Sequence, residues 1–301
     1  MENQSAQTEI GSDVAENILK SINIPPCPGV VTALMEEMRQ DDVDFNKLTK
    51  LISGDVGMAA SILKTANSPF FALRNKASSV QQAVSVLGLK NLLQIVRGSA
   101  LKNAIGGSGD VHMERFWDRS NFTAVVASHV ASRLEGVSRE EAYTYGLFHD
   151  CGIPILMQKF PDYKDKLATS NKFAEKIIVI EDQHYSTNHA TVGNLLARNW
   201  GLPEHINHAI LAHHVPTIFT GIDDRNTPIV CTLVAIQLVS EHIVATFLQR
   251  PDDAEWVVSG QEAQDYLVVS AKGRYRISQT MPWPNWKKFV PTSVLRMYSS
   301  R

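Results

Sequence analysis

Cysteine is scarce in this chain: Cys27, Cys151 and Cys231 stand far apart, and no two of them form a CxxC pair. This excludes a disulfide framework and a zinc ribbon, and it fits a reducing, cytoplasmic setting. A surplus of charge is missing as well, since the formal net charge is −2, which argues against a general nucleic-acid binder but leaves room for a local patch. The N-terminus lacks the basic-then-apolar pattern of an export signal. No apolar run reaches the about 20 residues of a membrane span, and the most apolar one, residues 229–239, stops well short. No receiver, kinase or DNA-reading motif is recognisable. What remains is a globular chain with no membrane partner, whose 301 residues, 44% of them hydrophobic, suffice for one large or two modest cores.

The apolar periodicity is helical, and before residue 250 no strand alternation competes with it. After a polar start, Pro25-Pro26-Cys27-Pro28 forbids regular structure until Pro28, which suits a first helical turn. Val30, Val31, Leu34 and Met38 then follow amphipathic spacing. Asp44 and Asp55 read as N-caps, Ser79 and Gln82 have capping-box spacing, and so do Ser138 and Glu141. Gly106-Gly107-Ser108-Gly109 is the clearest linker. The expected organisation is a tail with a short helix over 1–22, a helical half over 23–106, a second helical half over 107–250, and a separate C-terminal segment over 251–301.

One stretch stands out chemically. Tyr145-Gly146-Leu147-Phe148-His149-Asp150-Cys151-Gly152 sets an imidazole beside a carboxylate inside an apolar segment. A buried charge costs several kcal/mol unless it is paired, hydrogen-bonded or bound to a cation. His and Asp together make a nitrogen-and-oxygen ligand set for a divalent transition metal. His189 and the doublet His213-His214 lie in segments that also read as helical. The other histidines are scattered and read as surface or satisfied groups. Cys151, with no neighbouring base, reads as an inert buried thiol, and Asn67-Ser68 before Pro69 as a helix end bonded to backbone.

Several spaced motifs together carry a resemblance. Pro25-Pro26-Cys27-Pro28, residues 55–68, Ser79-Val80-Gln81-Gln82-Ala83 with Leu87-Gly88-Leu89, Phe116-Trp117, residues 146–152, His189-Ala190-Thr191-Val192-Gly193, Trp200-Gly201-Leu202-Pro203 and His213-His214 occur in order. In this, roughly residues 20–248 resemble the HDOD family, the HD-related output domains of bacterial signalling proteins. The resemblance implies an all-α, multi-helix bundle in two packed halves. It also implies a response-regulator-like signal-transduction protein that acts through contact with signalling proteins.

Active members of the wider HD superfamily, the resemblance implies, bind their first metal through an early His, the HD pair and a late Asp. The early His belongs shortly after Phe116-Trp117, where this chain has Arg119 and Ser120. The late Asp belongs in the helix after the doublet, around Ala235 and Ile236, where there is none. Asp150 is then expected to be the only carboxylate among the direct ligands. Adjacent helical residues point about 100° apart, so His213 and His214 are not expected to share an ion easily. The leading expectation is a degenerate site with no cofactor and no catalysis, in which Asp150 pairs with Arg119 or a histidine. The alternative is a residual divalent metal on His149, Asp150, His189, His213 and His214, and a phosphohydrolase acting on a nucleotide or cyclic dinucleotide.

Beyond Pro251 the character changes. Trp256-Val257-Val258 and residues 266–277 read as strand-like, with a β-hairpin turning at Lys272-Gly273. Lys272, Arg274, Arg276, Lys287, Lys288, Arg296 and Arg301 are offset by no acidic residue, and Trp283 and Trp286 lie among them. Two readings stand side by side: a surface for an acidic partner or nucleic acid over 272–301, or tryptophans packed on the body with the charges solvated.

Overall fold

The structure, a computed structural model, describes residues 20–67, 76–106, 111–173, 177–215, 217–220, 227–250 and 254–273. Every regular element among them is a helix. The expected linker Gly107-Ser108-Gly109, the tail before residue 20 and the basic stretch from Arg274 with Trp283 and Trp286 lie outside the described residues.

Local chemistry sets the helix starts. α1 (Gly29–Glu37) follows Pro28, whose φ of −60° and ψ of 139° hold the chain extended at the cap. Asp44 opens α2 (Phe45–Ser53) by accepting from the Asn46 and Lys47 amides at 2.8 and 3.1 Å. Asp55 opens α3 (Val56–Ala66) by accepting from the Met58 amide at 2.9 Å. Each cap satisfies donors that the helix leaves unpaired, a contribution of about 1 kcal/mol. At the other end of α3, Asn67 bonds both backbone groups of Ala77, closing the connection to the next helix. α4 (Val80–Ile105) is capped by Ser79 and bends at Gly88, whose φ of 72° only glycine adopts without strain. The box is incomplete, because the Gln82 carbonyl turns to the Ser78 amide instead.

The second half starts with α5 (Val111–Ala131) and α6 (Arg139–Phe148), the latter opened by a complete Ser138–Glu141 capping box. Short helices follow: α7 (Gly152–Lys159), α8 (Tyr163–Phe173), α9 (Ile177–Tyr185), α10 (His189–Asn199) and α11 (Glu204–Ala212). α12 (Pro228–Phe247) begins with proline at its first turn and is buried along most of its length. By length and composition it could cross a membrane, although residues 229–239 alone looked too short, and 72% of that apolar window is buried inside the protein.

The last described helix, α13 (Ala254–Gly273), corrects an expectation: residues 266–273 are helical, so the first strand of the expected hairpin does not exist. Ser259, Ala263 and Leu267 are buried at four-residue spacing, and that stripe packs on α12. Burial of a helical stripe overrides the β-propensity of Val257, Val258 and their neighbours.

α1, α2 and α3 pack on α4, α4 leans on α6, and α6 lies between α5, α11 and α12. One continuous apolar core runs through both halves from Ile22 to Leu267. Where the halves meet, the Trp200 indole donates to the Pro25 carbonyl at 3.0 Å. Gly201 lies just beyond α10 with φ of 65°, the αL position that ends a helix.

Candidate metal centre

The site gathers where α6 ends, α7 and α10 begin, and α11 has just finished. His149 follows α6, and Asp150 sits at the middle of the three-residue turn, 149–151, that leads into α7. An added Cβ at Gly152 would lie 2.1 Å from the His189 carbonyl oxygen. Only a glycine lets the first turn of α7 lie flush against α10, and this brings Asp150 up to His189.

Asn188 caps α10 by accepting from the Thr191 amide, which places His189 in the first turn, fully buried. Glu181 of α9 holds it from behind, accepting from the His189 amide at 3.1 Å and facing Nδ1 at 2.6 Å. The Tyr163 hydroxyl donates to the other oxygen of Glu181. His213 turns its Nδ1 to the Ile210 carbonyl at 2.7 Å, and His214 turns its Nδ1 to Glu255 of α13 at 2.8 Å. α11 ends at Ala212, so the doublet lies in the turn beyond it. Both rings nevertheless reach one pocket, contrary to the expectation from helical geometry: His213, at the C-cap of α11, keeps αR backbone angles (φ −66°, ψ −18°), and the two imidazoles lie side by side with ring centroids 4.0 Å apart.

The partners of Nδ1 decide the tautomers. A carbonyl or ionised carboxylate only accepts, so Nδ1 of His189, His213 and His214 carries the hydrogen, and in the neutral ring Nε2 presents its lone pair. These lone pairs converge. His189 Nε2 lies 2.8 Å from His214 Nε2 and 3.4 Å from His213 Nε2. Asp150 Oδ1 stands 3.6 and 3.7 Å from His189 and His213 Nε2. All four donors lie within 4.8 Å of one another. Two imidazole lone pairs at such a separation repel unless a proton or a metal ion sits between them, and carboxylate-backed histidine is a usual second shell of a metal. The donor set, three imidazoles and a carboxylate, suits zinc or another divalent transition metal.

The other oxygen of Asp150 faces a different group. Oδ2 lies 3.1 Å from Arg119 Nη2 and 3.2 Å from His149 Nε2. His149 Nε2 also meets Glu241 at 3.2 Å and the Gln237 amide at 2.9 Å, while its Nδ1 donates to the Gly146 carbonyl. His149, Asp150 and Glu241 form a second cluster of metal-ligating type, with Asp150 common to both. Burial alone would lower the His149 imidazole, but the Asp150 and Glu241 carboxylates outweigh it and hold it up at about 10. For Asp150, burial acts upward and the surrounding imidazoles, His149 first, prevail, leaving its carboxyl well below the usual range. His189 is raised against its burial, chiefly by Glu181.

Asp150 is therefore not the only carboxylate in the pocket. Glu241, Glu181 and Glu255 were missed, although Glu181 ends the apolar run Ile177-Ile178-Val179-Ile180 and Glu241 interrupts an apolar helix, and a charge in such a place is a signal. The residues of α12 that face the site are Gln237 and Glu241, whereas Ile236 is buried in the apolar core. Arg119 lies on Asp150, and Ser120 bonds the Phe116 carbonyl instead. Cys151 is buried, and burial, with Asp150 next to it, pushes its thiol far up, away from reactivity.

Comparison with known proteins agrees with this architecture. The profile of the HDOD domain family matches residues 24–216. An uncharacterised protein of Treponema pallidum (strain Nichols) is 25% identical over 218 residues, 71% of this chain, and the chain spans about two fifths of that relative's length, 41%. Among solved structures, an HDOD domain protein of unknown function from Geobacter sulfurreducens superposes with a TM-score of 0.68 at 21% identity, covering 88% of this chain and 90% of that one. A candidate metal-dependent phosphohydrolase from Shewanella amazonensis SB2B superposes with a TM-score of 0.63 at 15% identity, covering 98% and 99%. At these identities the likeness establishes the all-helical fold.

Proposed function

The chain belongs to the HDOD domain family, and from that premise we propose that it is a regulatory output module whose histidine pocket holds one divalent transition metal in a structural role. The observation that carries this is the division of Asp150. Its Oδ1 turns to the Nε2 atoms of His189 and His213, beside which His214 converges, while its Oδ2 is occupied by Arg119 and His149. His189, His213, His214 and Asp150 would hold the ion. Four protein ligands are the usual complement of a closed structural site, whereas a catalytic site keeps a position open for water. The ion would supply cross-linking of α7, α10 and the turn after α11, replacing the proton that Glu181 otherwise draws onto His189.

A second ion on the His149 side would face the permanent charge of Arg119 and the raised basicity of His149. This opposes the paired-ion clamp of many phosphodiester hydrolases, in which the ions stand about 3.5–4 Å apart. The module's output then passes through contact with a signalling protein. The segment 272–301, if its charges are exposed, suits an acidic partner or nucleic acid.

The second reading is a metal-dependent phosphohydrolase acting on a nucleotide or cyclic dinucleotide. In its favour, Asp150 is shared between two donor clusters, and a shared carboxylate is one way of holding two ions. Metal analysis with an activity assay separates the two. The structural reading expects about one ion per chain, lost in His189→Ala, and no phosphodiester hydrolysis above the His149→Ala background. Two ions with His149-dependent turnover would establish the hydrolase instead.

A further inference from the structure

Each imidazole of the pocket is oriented through its Nδ1, and the sources of these bonds differ. His149 and His213 use carbonyls three residues back, at Gly146 and Ile210, and His189 uses Glu181. All three partners lie within residues 24–216, the stretch the family profile covers. His214 instead faces Glu255, in the first turn of α13, at 2.8 Å with both side chains largely buried. The HDOD stretch by itself therefore lacks the group that turns the fourth ring.

We propose that Glu255 is a positioning residue for the metal centre, and that through it metal occupancy and the docking of α13 are coupled. The proposal rests on the metal reading above and adds to it a helix beyond the matched stretch. Glu255 accepts the Nδ1 hydrogen of His214, which directs the Nε2 lone pair to within 2.8 Å of His189 Nε2. The next residue is a second anchor: Trp256 stacks on His242 with ring centroids 4.0 Å apart and planes 7° apart. His242 adjoins Glu241, whose carboxylate meets His149. Residues 255 and 256 thus tie the start of α13 to both donor clusters.

Linkage makes the coupling reciprocal. Whatever factor docked Glu255 adds to metal affinity, the metal adds to the docking of α13. Carboxylates behind metal-ligating histidines typically contribute about 10–100-fold in affinity. The helix leads directly into the basic stretch from Arg274, so pocket occupancy would set how firmly the root of that stretch is held.

The test uses the full chain and zinc as the probe. Zinc affinity is measured by competition with a chromophoric chelator for wild type, Glu255→Ala, Glu255→Gln and Glu262→Ala, and amide exchange over residues 254–273 is followed with and without zinc. Glu255→Ala should bind about 10–100-fold more weakly. Glu255→Gln, which still offers Nδ1 an acceptor, should fall between it and wild type, and Glu262→Ala, an exposed change on the same helix, should match wild type. Exchange over α13 should slow on zinc binding. Unchanged affinity in Glu255→Ala, or α13 exchange indifferent to bound zinc, would overturn the proposal while leaving the metal reading intact. A wild type that binds no zinc would remove both. Should Glu255→Ala fail to fold, the isosteric Glu255→Gln decides, with weaker zinc binding at an unchanged metal-free melting temperature as the supporting result.

Discussion

The two halves of the protein are built from the same kind of helix, but they treat ionisable groups differently. Among the described residues between 20 and 106, the buried charged side chains are Glu37 and Arg97. Glu37 meets Lys47 at 2.6 Å and the Asp44 amide at 3.0 Å, tying α1 to the start of α2. Arg97 lies against the Met35 sulfur at 3.3 Å. The second half buries His149, Asp150, Glu181, His189 and His213. Removing so many such groups from water is costly unless they satisfy one another or a cation, and here they do so in one connected network. The first half is a packed platform with Glu37 at the end of α1 and Arg97 within α4, two isolated groups rather than a network. The second has kept an expensive interior, and both groups of metal-ligating side chains lie in or against it.

The largest expected effect sharpens that contrast at the backbone. Gly152→Ala places a methyl against the His189 carbonyl at 2.1 Å, and no side-chain rotation relieves a clash with backbone. Chemical denaturation should show a loss of about 3 kcal/mol or more, the upper range for overpacking, with loss of zinc binding. Near-wild-type stability would mean that α7 and α10 are not pressed together as described.

A smaller effect is expected from the platform. Ile52 is fully buried, and Ile52→Val should cost about 1 kcal/mol by removing one methylene from the core. Metal content and zinc affinity should stay at wild-type levels. A metal deficit in this variant would break the distinction, because it would make the first half part of the site.

The smallest effect concerns a histidine outside the pocket. On α5, burial lowers the His129 imidazole to about 4, with Arg139 and Arg133 acting in the same direction. The unfolded chain therefore binds more protons between the ordinary value of about 6.5 and about 4. His129 favours the folded state fully above pH ~6.5, and this is lost progressively as the pH falls toward 4. Because the ring is partly exposed, solvent screening reduces the contribution to about 1 kcal/mol or less. Comparing urea melts of wild type and His129→Gln at pH 7 and pH 4.5 should show the wild type losing more. Equal losses would mean that His129 is not desolvated.

How far the sequence reaches depends on the distance over which each interaction acts. The caps at Asp44, Asp55 and Ser138 were legible because a side chain meets an amide two or three residues on, and local spacing states that fully. His149-Asp150 and His213-His214 were legible as chemistry, since charge inside an apolar segment calls for a partner. By itself, then, the sequence determined a helical chain, its main punctuation and the imidazoles of a pocket. Only the tertiary structure decided which groups meet: Glu241 reaches His149 from 92 residues away, and Glu255 reaches His214 from 41. It also decided that both rings of the doublet after α11 enter one pocket, and that residues 266–273 are helical because their stripe finds α12 to bury against. Propensity and spacing are properties of a short stretch, whereas burial and pairing belong to whatever the fold brings alongside it.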